Sequence, residues 1–119
     1  MSNTTVNELV THWFSLREVA DRLGVSPNKV RQMVREHQLV ALRHADAREP
    51  EVPAEMLAGD VVVKGLSGTL TLLADAGYDG EASVRWLFTA DESLPGRPID
   101  ALRENRGTEV RRRAQTLAF

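Results

Sequence analysis

The chain has 119 residues, 42% of them hydrophobic, which at roughly 100–200 residues per domain is one compact domain or two small modules sharing a core. It contains no cysteine, so disulfide scaffolds, thiolate zinc sites, iron–sulfur clusters and cysteine nucleophiles are all excluded. The net charge is −2, yet residues 26–48 carry Lys29, Arg31, Arg35, Arg43 and Arg48 against Glu36 and Asp46, a local +3.

The N-terminal stretch MSNTTVNELVTHW lacks the cationic start and apolar run of a secretory signal, and no segment reaches the ~18 apolar residues of a membrane span. A soluble cytoplasmic protein is expected. Residues 1–13 are polar without a strong period and read as a loose tail, with anchors beginning at Leu9, Trp13 and Phe14. Ser15 and Glu18 have capping-box spacing, which starts a helix over Leu16–Leu23. Its apolar residues Leu16, Val19, Ala20 and Leu23 form one stripe, and Gly24 stops it.

Ser26-Pro27 opens a second helix, because proline at the first helical position loses only an amide that had no partner. In PNKVRQMVREH, residues 27–37, Val30, Met33 and Val34 share the inner face. LVALR, residues 39–43, alternates like a strand, and a return strand around Val52 would close a hairpin, kept short by Pro50 and Pro53. The rest reads as helical. A turn over PAEMLAG and a short extended VVVKG precede a helix capped by Ser67 and closed by Gly77; Asp79 or Gly80 opens EASVRWLFT, DESLPGRP is a loop, and IDALREN and TEVRRRAQTLAF complete the chain. In the last helix Val110, Ala114 and Leu117 make the inner stripe.

Two short helices joined by a short turn, with Ala20, Gly24 and Val30 at the fifth, ninth and fifteenth positions of the unit Leu16–Arg35, have helix-turn-helix spacing. A small residue lets the helices approach, glycine turns the chain, and a β-branched residue fills the gap between them. The outward face then carries Ser26, Asn28, Lys29, Arg31, Gln32 and Arg35, donors suited to base edges or phosphates. With the hairpin following at once, Arg43, His44 and Arg48 fall on a wing able to touch neighbouring backbone. The expected fold is mainly α: a winged helix-turn-helix with a small β-hairpin wing over residues 14–59 and a C-terminal helical bundle over 60–119.

The stretches RLGVSPNKVRQMVREHQLVALR, VVVKGLSGTLTLLADAGYDGEASVRWLFTADESL, RPIDAL and VRRRAQTLAF resemble small actinobacterial DNA-binding proteins that join a MerR-like winged helix-turn-helix to a helical C-terminal domain. The mycobacterial member of that family is a Ser/Thr-kinase substrate. The resemblance implies a transcriptional regulator or nucleoid-associated factor, cytoplasmic at the nucleoid, without catalysis, inserting helix 27–37 into the major groove of double-stranded DNA. It also implies a kinase acting on the tail, where Thr4 and Thr5 are candidate acceptors of phosphate. A lone module of this kind buries little DNA, so a homodimer through the C-terminal helices would add specificity.

RWLFTADESLPGRPIDAL also faintly resembles the partner-binding domain of some antitoxins, so a protein-interaction adaptor using Trp86, Leu87, Pro98, Ile99 and Leu102 is the competing reading; burial in the core is the plainer role for them. Arg111, Arg112 and Arg113 point about 100° apart on a helix and cannot all face one ligand. No cofactor or metal is expected. Lys64–Thr69 lacks phosphate-loop order, His12, His37 and His44 lie in different elements, and Asp91-Glu92 has no acid–base partner placed by the sequence.

Overall fold

The computed structural model describes residues 5–118 apart from Asp46 and Pro95. Thr4 and Asp46 therefore lie outside the described residues. The segment expected as a loose tail is corrected from Thr5 onward: Val6–Leu9 form a helical turn (α1), and Val6 and Val10 are buried. The polar letters around them hid a pair of valines four residues apart, which places both on one side of the turn; the turn packs against the later helix Gly80–Phe88.

Trp13–Ser15 form a strand (β1), and Ser15 then caps α2 (Leu16–Leu23). The Ser15 hydroxyl accepts from the Glu18 amide at 3.0 Å, and the Glu18 carboxylate accepts from the Ser15 amide at 2.9 Å. This reciprocal box satisfies two otherwise orphaned donors. Gly24 ends α2 in the left-handed region at φ 69°, where a side chain would be strained. Ser26 caps α3 (Pro27–Arg35) by accepting from the Lys29 amide at 3.1 Å.

α3 ends two residues before the expected His37. The His37 amide donates to the Val34 carbonyl at 3.2 Å and the Gln38 amide to the Met33 carbonyl at 2.8 Å, with His37 itself at φ 61°. This is the Schellman pattern carried by a histidine instead of glycine, which is why it escaped the sequence. Val19, Ala20 and Val30 are fully or almost fully buried between α2 and α3, as the helix-turn-helix spacing requires.

The expected strand over 39–43 is the larger correction. Leu39 and Val40 are both buried, so neighbours that a strand would send to opposite faces both enter the core. Only Leu42 retains pairing, exchanging both backbone hydrogen bonds with Glu51 at 2.8 Å. The return strand β2 (Glu51–Pro53) pairs antiparallel with β1, Phe14 opposite Val52 and Ser15 opposite Glu51. The wing is therefore the loop 43–50, springing from a ladder in which β2 lies between β1 and Leu42.

A 3₁₀ turn, Ala54–Met56, leads into the two-residue strands β3 (Leu57–Ala58) and β4 (Val61–Val62), a second antiparallel hairpin. The expected division between residues 59 and 60 falls in its turn. Helices α4 (Leu66–Asp75), α5 (Gly80–Phe88), α6 (Pro98–Arg103) and α7 (Gly107–Gln115) follow. Ser67 does not cap α4, contrary to expectation: the helix begins at the buried Leu66, and Gly65 holds the cap position at φ 86°. A Cβ on Gly65 would come within 3.2 Å of the Leu102 side chain and 3.7 Å of the Gly107 Cα, so glycine also lets the start of α4 approach α6 and the start of α7. Asp79 caps α5 as expected, accepting from the Ala82 amide at 2.8 Å.

One continuous core joins both halves, running from Val6 and Phe14 through Val30, Met56 and Leu66 to Leu87, Leu102 and Ala114. Arginines stitch the seam. Arg97 donates to Glu55 at 2.6 Å and to Asp100 at 2.7 Å, and Arg103 donates to the carbonyls of Glu55 and Leu57 at 2.8 and 2.6 Å. The Arg97 hydrogen bond holds the Asp100 carboxyl below the usual aspartate range. Among the described residues no helix is long and apolar enough to cross a membrane.

Candidate nucleic-acid interface

Residues on α3 advance about 100° each, so Asn28, Arg31, Gln32 and Arg35 fall within an arc of roughly 100°, opposite Val30, Met33 and Val34. Ser26, Asn28, Lys29, Arg31, Gln32 and Arg35 are all exposed, as are Arg43 and Arg48 on the wing. Lys29 projects from the flank of the arc, and the Ser26 hydroxyl is engaged in capping. Arg31 donates to the Asn28 carboxamide at 3.0 Å, and Gln32 donates to Glu36 at 3.1 Å, which orders both side chains on the helix surface.

Between α3 and the wing lies a cleft of about 430 Å³ into which the structure brings Arg31, Arg35 and Arg43, with Glu49 as the carboxylate on its lining. Its apolar floor is Leu16, Val34, Ala41 and Pro50. Among the described residues no ion pair neutralises these three arginines, so the cleft presents forked donors over a low-polarity base. Arg48 is exposed on the same loop but does not line the cleft.

His44, expected on the wing surface, is instead an internal strut with a side chain 14% exposed. Its ring stacks on Trp13 at 3.9 Å between centroids, with Nδ1 2.9 Å from the Asn7 side-chain oxygen and Nε2 2.5 Å from Glu51. It ties α1, β1 and β2 to the root of the wing. Nothing in the local sequence signals this, because its partners lie 31, 37 and 7 residues away.

The C-terminal basic run is largely spent on the fold. Arg106 bonds Glu109 and the Leu94 carbonyl, and Arg113 bonds the Ser93 hydroxyl at 2.8 Å, while Arg112 is exposed. Of the five residues weighed as a partner surface, Leu87, Pro98, Ile99 and Leu102 are buried and only Trp86 is half-exposed. Sequence reasoning also missed Glu49 and the apolar floor of the cleft, which form only when the wing folds against α3.

A capped two-helix unit with an exposed cationic second helix, flanked by a small antiparallel ladder and a projecting loop, defines a winged helix-turn-helix protein. The chain belongs to the Rv2175c family: residues 4–57 match the family model for the DNA-binding protein Rv2175c wHTH domain, and residues 63–118 match the Rv2175c C-terminal domain of unknown function. The DNA-binding protein Rv2175c of Mycobacterium tuberculosis is 40% identical, the alignment spanning 89% of this chain and 80% of the relative. The fold superimposes on the NMR structure of Rv2175c with a TM-score of 0.81, covering 91% of this chain and 82% of that one.

Proposed function

We propose that this chain binds double-stranded DNA, placing α3 in the major groove and the wing on the adjoining backbone, and acts as a transcriptional regulator or nucleoid-associated factor in the cytoplasm. The observation that carries the reading is the cleft lined by Arg31 and Arg35 of α3 and Arg43 of the wing, three arginines that form no ion pair among the described residues. A helix of nine residues is about 13 Å long and enters a major groove about 12 Å wide. Asn28, Arg31, Gln32 and Arg35 then face base edges, while Lys29, Arg43, Arg48 and the Ser26 hydroxyl serve phosphates. The relative's name as a DNA-binding protein supports the same assignment.

Paired copies joined through the C-terminal helices would double the site, and a kinase adding phosphate at Thr4 or Thr5 would place negative charge ahead of α1. The test is fluorescence anisotropy of labelled duplex fragments from the source genome at two salt concentrations, with wild type and Arg31→Ala/Arg35→Ala. Salt-sensitive binding that the double variant loses supports the proposal. A folded wild-type protein that binds no duplex at low salt overturns it.

A further inference from the structure

A second concave surface lies apart from the arginine cleft, along α5 and the loop that follows it. This groove has a volume of about 630 Å³ and is walled by Tyr78, Trp86 and Pro98, with Arg85, Asp91 and Glu92 also on its lining. The volume suits one docked side chain with its neighbours, the range for small binding sites being roughly 300–1,000 Å³. α5 sends Val84, Leu87 and Phe88 into the core but leaves Trp86, one of only two tryptophans, half-exposed in this groove. The other tryptophan, Trp13, is covered on one face by His44.

Charge is segregated along the chain. A net −2 overall and +3 over residues 26–48 leave −5 for the remainder, and the groove's own lining holds Asp91 and Glu92 against Arg85. Arg85 is itself drawn to Glu81 at 3.7 Å. Asp91 accepts from the Ser93 hydroxyl at 2.7 Å and the Ser93 amide at 2.9 Å, which holds its carboxyl below the usual range and fixes its direction. With Arg85 drawn to Glu81, the two lining carboxylates make the groove acidic. It attracts a cation, and aromatic faces beside carboxylates stabilise that cation through the ring quadrupole as well as by charge.

We infer that this groove docks a protein partner through an arginine or lysine flanked by apolar residues, the cation lodging among Trp86, Tyr78, Asp91 and Glu92 and the apolar neighbour against Pro98. The inference stands independently of the DNA reading. It gives the chain two faces of opposite charge, one for a polyanion and one for a basic segment of another protein.

The test is a titration of ¹⁵N-labelled protein with the acetylated, amidated pentapeptide Ala-Leu-Arg-Leu-Ala and with the same peptide carrying Lys or Glu at its centre. The two tryptophan indole N–H signals make an internal control. The expected result is that the Arg and Lys peptides shift the Trp86 indole and the amides of residues 89–92 while the Trp13 indole stays in place. Asp91→Asn/Glu92→Gln should weaken the Arg peptide about tenfold, in keeping with the loss of two carboxylates beside a partly desolvated cation. Arg35→Ala should leave it unchanged. Glu92 is exposed and makes no hydrogen bond to the fold among the described residues, so Glu92→Gln alone carries the comparison if the double variant unfolds. The proposal is overturned by equal shifts with the Glu peptide, by no shift at Trp86 with any peptide, or by concentration-dependent self-association that Trp86→Ala abolishes while the peptides leave Trp86 untouched.

Discussion

Removing the wing arginine should change how DNA binding depends on salt, and it should do so where removing a distant arginine does not. Arg43 lines the same cleft as Arg31 and Arg35, whereas Arg112 is exposed on α7. Each phosphate contact contributes about −0.9 to the slope of log K against log salt. Over a fourfold rise in salt, from about 50 to 200 mM, one such contact is worth roughly 3.5-fold in affinity and three are worth roughly 40-fold. Arg43→Ala is therefore expected to flatten the slope by about 0.9, and Arg31→Ala/Arg35→Ala/Arg43→Ala by less than the roughly 2.7 that three phosphate contacts would give. Any arginine on α3 that reads a base edge instead contributes less to the slope and more to discrimination between sequences. Arg112→Ala has the same change in net charge and should leave the slope unchanged. The assay is anisotropy of one labelled duplex at four salt concentrations for wild type and each variant. Equal flattening by Arg43→Ala and Arg112→Ala would mean that net charge alone sets the affinity, and it would refute the cleft as the contact surface.

The remaining predictions concern the frame that holds this surface. Ser15→Ala removes the acceptor at the start of α2 and should cost about 1 kcal/mol, which for a chain of 119 residues lowers the melting temperature by about 4 °C in calorimetry; an unchanged melting temperature counts against the capping box. Leu66→Ala empties a fully buried site in the core shared by both halves and should cost about 2–5 kcal/mol in urea unfolding, still as one transition; two separate transitions would show that the halves unfold independently. Asp100 is held below the ordinary aspartate range by its hydrogen bond from Arg97, so the unfolded chain binds its proton first as pH falls. Its stabilising contribution is complete above the unfolded pKa of about 3.9 and is lost as pH drops through the lower folded value. Asp100→Asn should therefore flatten the acid limb of the stability–pH curve, and an identical limb in the variant would show that Asp100 does not contribute to it.

What could be read from the sequence follows the range of the interactions involved. The Ser15–Glu18 box, the Ser26-Pro27 start and the outward phase of Asn28, Arg31, Gln32 and Arg35 depend on residues within a turn or two of one another, and the structure realises them as capped helices and an exposed face. Pairing is different. The strand partner of Val52 is Phe14, and no local pattern prefers it over the nearer Leu39–Arg43. The choice is made by the core, which takes both Leu39 and Val40 and so breaks their alternation. Composition misled at Ser67, because a hydroxyl near a helix start resembles a cap, whereas the buried Leu66 and the left-handed Gly65 set the boundary.

The same reasoning explains the cleft. Helix phase places Arg31 and Arg35 on one side of α3, but it has no bearing on Arg43, which reaches them only because β2 turns back to β1 and Glu51 holds Leu42. His44 completes that geometry, with Trp13 on one face and Asn7 and Glu51 at its ring nitrogens. Val6 and Val10, at the start of α1 and just past its end, looked like part of a polar tail but anchor the same structure from behind by fixing the segment that carries Asn7. The position of the wing arginine is thus set by contacts spread from residue 7 to residue 51, and the DNA contact proposed for Arg43 depends as much on the N-terminal segment as on α3 itself.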